Sequence, residues 1–337
     1  MPELSIVIPT LGRETLIPTV ESLRRARLPP GTEIIVAGKV EDPSVAARLA
    51  QLKQSIPGLV HLDVSFDKGD SSRKKNAGFE KSRGAIVAFL DDDVVVEPDW
   101  AEMLLETFAD PKTGLVSGPA LIPGDIPRMG RLAGLALASP AAGYVAARYH
   151  RGPSSIRTIR WSEIIGCNMA YRREAFEAMG QFDPAFWPGE EMIAAFKTQQ
   201  LGFGVKFHSG ACVHHYPRQS LARFYRQIHG YGATRIRLMR AGVEWEWSTL
   251  APAAWVASLL LLGIGSLVHQ WCAYLLAVDL LLYALVDFWC VIAMLRDTRC
   301  FSDVLLFLMI PVMHFSYGLA EWIELLRPGR DLSEKEG

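Results

Sequence analysis

The sequence has no surplus of either charge: 35 Lys and Arg stand against 36 Asp and Glu, for a net charge of −1. Nucleic-acid binders carry a pronounced basic excess, so that class is excluded. Cysteine is scarce. The five present (Cys167, Cys212, Cys272, Cys290, Cys300) fit no metal-ligand spacing, and three lie in apolar segments, so neither a disulfide framework nor a zinc site is indicated. The start, Met1-Pro2-Glu3-Leu4, lacks the basic stretch and apolar core of a secretory signal, and the amino-terminal part is expected to stay in the cytoplasm. Long apolar runs are missing too, but only up to about Arg240.

Beyond Arg240 come three apolar segments, at residues 250–268, 271–295 and 304–326. Each approaches the ~20 residues needed to cross a bilayer, the alternative being the core of a soluble helical domain. Only His269-Gln270 separates the first two, which predicts a helical hairpin. Asp279, Asp287, Pro311, His314 and Glu321 interrupt the second and third segments. Ionisable groups at membrane depth are costly and face protein or a water-filled cavity.

The amino-terminal part alternates strand and helix: strand 4–10, helix 13–27 stopped by Pro29-Pro30-Gly31, strand 33–38, helix 43–52, strand 59–64. That alternation predicts a doubly wound parallel sheet. Residues 69–78 open a helix rich in basic side chains, Arg73-Lys74-Lys75, which is either a phosphate site at a helix start or a solvated face. Next, the apolar run Ala85-Ile86-Val87-Ala88-Phe89-Leu90 reads as a buried strand and ends in Asp91-Asp92-Asp93. Ligands of open α/β sheets bind at such carboxyl ends. Two acids at i and i+2 leave a strand on the same side and can hold one hard divalent cation, with a ligand's phosphates completing its shell. The plainer alternative is a solvated acidic turn.

A helix over 98–108 and a strand over 115–120 follow, then a small-residue segment, 129–147, read as an acceptor-side element resting at the membrane surface. Residues 161–171 lead into a helix over 173–179 and a turn at 180–184. Gly189-Glu190-Glu191 then begins a helix to Gln200, and its acids serve either as a cap or as a general base at a cleft.

Through residue 240, the order and spacing of these pieces resemble the family 2 glycosyltransferases, inverting enzymes with the GT-A fold. The resemblance rests on Ser5-Ile6-Val7-Ile8-Pro9-Thr10, Arg73…Asn76-Ala77-Gly78, Phe89-Leu90-Asp91-Asp92-Asp93 at the D-x-D position, Asn168-Met169-Ala170-Tyr171-Arg172-Arg173…Gly180-Gln181-Phe182-Asp183, and Gly189-Glu190-Glu191…Gly202. The stretch His215-Tyr216-Pro217…Arg226-Gln227…Tyr231-Gly232 and the apolar segments are similar to a membrane-anchored branch that includes a succinoglycan glycosyltransferase. The resemblance implies a catalytic domain over 1–240, with 220–240 as an interfacial amphipathic segment, a membrane domain over 250–326 and a polar tail over 327–337.

It further implies Mg²⁺ or Mn²⁺ on Asp91 and Asp93, with His214 or His215 completing the shell, and Glu191 as catalytic base with Glu190 as second candidate. Pro9, Thr10, Arg13, Arg73, Asn76, Asp91, Asp92, Asn168, Arg226 and Gln227 would meet the nucleotide sugar. The implied partners are a nucleotide-sugar donor, with UDP a guess, a lipid-linked acceptor such as a polyprenyl phosphate or glycolipid, and the bilayer. Two positions depart from the family. Ala37-Gly38-Lys39-Val40-Glu41-Asp42 replaces the acidic turn that reads base and ribose, and Ile193 replaces the second acid after G-E-D. A processive polysaccharide synthase fits less well, with only three spans and no full Q-x-x-R-W. A non-catalytic sugar-nucleotide-binding scaffold is disfavoured by the retained acids.

Arg223, Arg226, Arg235, Arg237 and Arg240, with Phe224, Tyr225 and Tyr231 among them, precede the first span, and basic flanks favour the cytoplasmic side. Arg296 and Arg299 fall on that side after two crossings, whereas His269-Gln270 carries no Lys or Arg and suits the outer side. Three full crossings put Arg327 and Arg330 outside, against the charge rule, so a re-entrant third segment stays open. The expected location is the cell (inner) membrane, multi-pass, with the catalytic domain cytoplasmic. Labelling from outside, on a cysteine-free background, is expected to reach a reporter cysteine beside His269 and to miss one beside Thr298. Labelling beside Thr298 overturns this topology, and a reporter after Gly329 separates the two arrangements of the third segment.

Overall fold

The computed structural model describes residues 3–66, 70–186 and 188–327. They form two compact units, one from the residues up to Gly124 together with Ala147–Tyr216, the other from Asp125–Ala146 and from Pro217 onward.

The first unit begins with β1 (Leu4–Pro9), α1 (Leu16–Arg25), β2 (Glu33–Ala37), α2 (Pro43–Ser55), β3 (Leu59–Leu62), α3 (Asp70–Lys81), β4 (Ile86–Leu90), β5 (Val94–Val96), α4 (Trp100–Thr107), β6 (Thr113–Ser117) and β7 (Ala120–Leu121). The chain then enters the second unit through α5 (Arg128–Ala138). It returns with β8 (Ile156–Thr158), β9 (Asn168–Arg172), α6 (Arg173–Ala178), α7 (Glu190–Gln200), β10 (Gly204–His208) and β11 (Val213–His215).

β1 and β4 are buried along their whole length and apolar apart from Ser5, as strands covered on both faces must be. On α1, Leu16, Val20 and Leu23 repeat at helical spacing and give one buried face. Asp42 caps α2 by accepting from the Ser44 and Val45 amides, with Pro43 in the first turn, where its missing N–H costs nothing.

Eight strands form one sheet in the order β3-β2-β1-β4-β9-β6-β10-β8. β1 runs parallel to β2 and β4, β2 to β3, and β6 to β10. The sheet is mixed, not parallel throughout as the alternation predicted. β9 lies antiparallel between β4 and β6, and β8 is antiparallel on β10. Parallel pairing needs a crossover laid across the sheet. β9 enters at the end where β4 leaves, with Asn168 opposite Leu90, and only a short 3-10 turn, Trp161–Glu163, lies between β8 and β9. A small second sheet, β5-β11-β7, sets β11 antiparallel to β5.

The second unit holds α5 and then α8 (Leu221–Arg240), α9 (Ala251–Ser266), α10 (Gln270–Thr298) and α11 (Leu306–Leu326). Three helical stretches, Trp247–Ser266, Gln270–Thr298 and Phe301–Leu326, are long and apolar enough to cross a membrane, and they coincide with the three predicted segments. Close approach is bought by glycine. A Cβ on Gly232 of α8 would lie 2.3 Å from the Tyr317 carbonyl oxygen of α11, and one on Gly318 would lie 2.2 Å from that of Pro252. Of the expected polar tail, residues 328–337 lie outside the described residues.

Candidate active site

The strand-end acids separate by side, as a strand's alternation demands. Asp92 is buried and turns inward, accepting from Thr10 Oγ1 at 2.7 Å and from the Leu11 amide at 3.2 Å, so it ties the ends of β1 and β4 together. Asp91 and Asp93 turn the other way. With His215 they form a group whose ligand atoms all lie within 4.8 Å of one another, His215 Nε2 standing 3.2 Å from Asp93 Oδ1. The register of the small sheet delivers this histidine, since β11 sets His215 opposite Val94, next to Asp93. His214 faces away and bonds Glu97 Oε1 at 3.1 Å, so of the two histidines only His215 joins the acids. Desolvation raises the Asp91 pKa, with the Lys75 ammonium opposing and the Asp93 charge adding to it.

The basic run on α3 is divided between the interior and the surface. Lys74 and Lys75 are only 4% and 3% exposed, and Arg73 alone reaches solvent, its guanidinium 5.9 Å from the centre of the Phe66 ring. Gly69 of that run lies outside the described residues. Lys74 Nζ donates to the Thr10 carbonyl at 2.7 Å and to Asp70. Lys75 Nζ donates to Glu190 Oε1 at 3.1 Å and lies 5.4 Å from the Phe182 ring centre. Burial alone would lower its pKa, but Glu190, then Asp91 and Glu191, reverse that and hold the ammonium charged. The spacing Ser72, Lys75, Phe79 already set Lys75 on the buried helix face, a signal the reading by charge passed over.

α7 begins with two acids in different environments. Glu190 is buried and accepts from Lys75, with Ser71 Oγ at 3.4 Å. Glu191 is partly exposed and lies over Gly166, where a Cβ would come 3.3 Å from its Cγ. Desolvation, followed by the charge of Glu190, pushes its pKa up to about 7 against the pull of Lys75. A carboxylate poised there is matched to accepting a proton at neutral pH.

Of the other expected contacts, Pro9 and Thr10 end β1, and Arg13 is exposed, its charge opposing the rise in the Asp92 pKa that desolvation causes. Asn76 exchanges two hydrogen bonds with the Phe182 backbone, at 2.8 and 3.1 Å. Asn168 belongs to the core. It is fully buried, accepts from Trp100 Nε1 and donates to the Pro119 and Ala211 carbonyls, which uses its whole amide internally. Arg226 and Gln227 sit on α8 of the second unit, bonded to the Ala222 carbonyl and the Tyr231 hydroxyl.

A protein-family model described as Glycosyl transferase family 2 matches residues 5–180. The chain is 29% identical over 197 residues to the O-antigen biosynthesis protein RfbC of Myxococcus xanthus, covering 55% of this chain and 15% of that protein. It is 32% identical over 118 residues to the succinoglycan biosynthesis protein ExoM of Rhizobium meliloti (strain 1021), covering 34% of this chain and 38% of that protein. The chain thus spans well under half the length of either relative. Among solved structures it resembles a mannosyltransferase, PcManGT from Pyrobaculum calidifontis in complex with GDP-Man and Mn²⁺, with a TM-score of 0.68 at 16% identity over 96% of this chain and 87% of that one. The chain therefore has a GT-A-like fold.

Replacing Lys75 by Met keeps the length and removes the charge, stranding Glu190 in the interior. Lys75→Met is expected to destabilise the protein by about 3–5 kcal/mol, the usual cost of an uncompensated buried charge. Lys75→Met with Glu190→Gln should recover most of that loss. Denaturant unfolding of the detergent-solubilised full chain measures both, and a single variant as stable as the parent refutes the assignment.

Proposed function

The chain belongs to glycosyl transferase family 2, and from that premise we propose that it transfers a sugar from a nucleotide-sugar donor to a lipid-linked or polysaccharide-precursor acceptor, with inversion, in cell-envelope polysaccharide synthesis. The observation that carries this reading is the meeting of two acid sets around one buried cation. Asp91, Asp93 and His215 form one set, Glu190 and Glu191 the other, and Lys75 feels both.

Two carboxylates and an imidazole within reach of one point suit Mg²⁺ or Mn²⁺, with room for donor phosphates in the shell. When bound, the ion neutralises charge developing on the departing diphosphate. Glu191 accepts the proton of the acceptor hydroxyl as it attacks. Glu190, held by Lys75, stands beside Glu191, and its charge adds to the rise in the latter's pKa. Thr10 and Asp92 brace the floor between β1 and β4. UDP is the nucleotide we assign to the donor, and a polyprenyl phosphate or glycolipid is the assigned acceptor. The three apolar helices anchor the enzyme in the cell membrane, with transfer at the cytoplasmic face and α8 at the interface.

Asp93→Asn is expected to abolish transfer and to remove the metal-dependent part of nucleotide-sugar affinity, which a donor-binding titration with Mn²⁺ and with chelator resolves. Parental turnover by this variant in chelator would sink the metal assignment.

Glu191→Gln should leave donor affinity unchanged and lower kcat by roughly 10²–10⁴-fold. The base works only when ionised, and its pKa is pushed up to about 7. Below that value log kcat should therefore climb with unit slope as pH rises, then level off above it. A plateau extending down to pH ~5 places the base elsewhere, since the limb must follow the pKa of the group that takes the proton. The same pattern in Glu190→Gln, absent from Glu191→Gln, moves the assignment by one residue.

A further inference from the structure

An apolar hollow of about 360 Å³ opens where α10 bends into α11. Phe288 and Val291 of α10, Val304 and Leu305 of the intervening turn, and Phe307 and Leu308 of α11 line it. Phe288 and Leu308 are more than half exposed, so the hollow faces outward, and every lining side chain is apolar. A soluble polar ligand has nothing to hold there.

The turn beside the hollow has the opposite character. Arg296 and Arg299 close α10, and Arg128 opens α5 near enough for its charge to act on Asp303. All three are exposed, and none has an ion-pair partner among the described residues. Arg131 of α5, in contrast, is locked onto the buried Asp303 by two hydrogen bonds of 3.0 and 2.8 Å, which holds α5 against this turn. With Asp297 and Asp303 as the local acids, the four arginines leave the turn positive. Arg296 follows Val291 by five residues and Phe288 by eight, about 7.5 and 12 Å along a helix at ~1.5 Å per residue. That offset suits a molecule with an anionic phosphate at one end and a hydrocarbon chain running from it.

We propose that this hollow seats one acyl chain of an anionic phospholipid, with its headgroup phosphate on Arg128, Arg296 and Arg299. A bilayer would cover the face with any lipid. The unpartnered arginines select a negative headgroup, as basic pockets between membrane helices do. The inference rests on the reading that α10 and α11 cross a membrane.

The test uses the full chain, purified in detergent and reconstituted into phosphatidylcholine vesicles doped with phosphatidylglycerol that carries a photoreactive diazirine in its acyl chain. Mass spectrometry after illumination should find the label concentrated on peptides holding residues 288–291 and 304–308. Unlabelled phosphatidylglycerol should compete it away and phosphatidylcholine should not. Each of Arg128→Gln, Arg296→Gln and Arg299→Gln should weaken that competition roughly fivefold. Val304→Trp, which fills the hollow and keeps the arginines, should reduce the labelling of these peptides. Equal competition by phosphatidylcholine, or label spread evenly along α9 and α10, overturns the proposal in favour of bulk lipid alone. Displacement by an isoprenoid phosphate at lower concentration than phosphatidylglycerol overturns the choice of occupant. Failure of the chain to float with vesicles at all removes the membrane reading instead, a separate outcome.

Discussion

One buried ammonium governs the candidate site. Lys75 lies out of water among Glu190, Asp91 and Glu191, and its charge opposes the rise that desolvation causes in the pKa of Asp91 and of Glu191. Its position is held by the core. Gly78, one turn on along α3, lets the helix settle onto β1, since a Cβ there would meet Val7 Cγ1 at 2.3 Å. The Phe182 ring beside the ammonium is pinned through its backbone by Asn76 and packs edge-on to Phe89 and Phe176. Site electrostatics and aromatic packing are therefore one construction, and a defect in either reaches the other.

Around that cation, neighbouring acids of the same type take different tasks because burial and partners differ. Asp92 has its carboxylate satisfied by Thr10 and Leu11 and belongs to the scaffold. Asp91 and Asp93, two residues apart, share a side with His215. Glu190 is paired within the fold with Lys75, whereas Glu191, one residue on, has a carboxylate whose raised pKa suits proton transfer. The antiparallel insertion of β9 contributes here as well. It starts beside Leu90, and the turn before it brings Gly166 under Glu191.

In the second unit, several polar side chains are bonded to one another, whereas the buried carboxylate oxygens of Asp287 and Glu321 have no hydrogen-bond partner among the described residues. Arg235 and Glu246, both buried, face each other at 3.4 Å, and the Tyr144 hydroxyl bonds both. His314 bonds the Ala141 carbonyl through Nε2, which in a neutral ring must then donate, leaving Nδ1 to accept from the Tyr283 hydroxyl. Such pairing is what makes polar groups tolerable where water is absent. It also ties residues 141–144, far away in sequence, to α8, α10 and α11.

Local pattern in the sequence sufficed for much of this. Continuous β-branched runs mark β1, β2 and β4, the triple acid ends β4, three runs of membrane-spanning length mark α9 to α11, and the order of motifs marks the family. Each of these is written in residues adjacent in the chain, so periodicity and length carry them. What the tertiary structure decided involves pairing between distant segments. The register of β11 on β5 chooses His215 over His214. The direction of β9 makes the sheet mixed. The packing of α3 turns Lys74 and Lys75 of its basic run inward, and Asn168 becomes a core amide because Trp100, Pro119 and Ala211 converge on it. Beyond the helical spacing that sets Lys75 on a buried face, no local pattern carries that information, because a side chain's role there depends on which distant groups the fold sets within hydrogen-bonding distance and whether water is left between them.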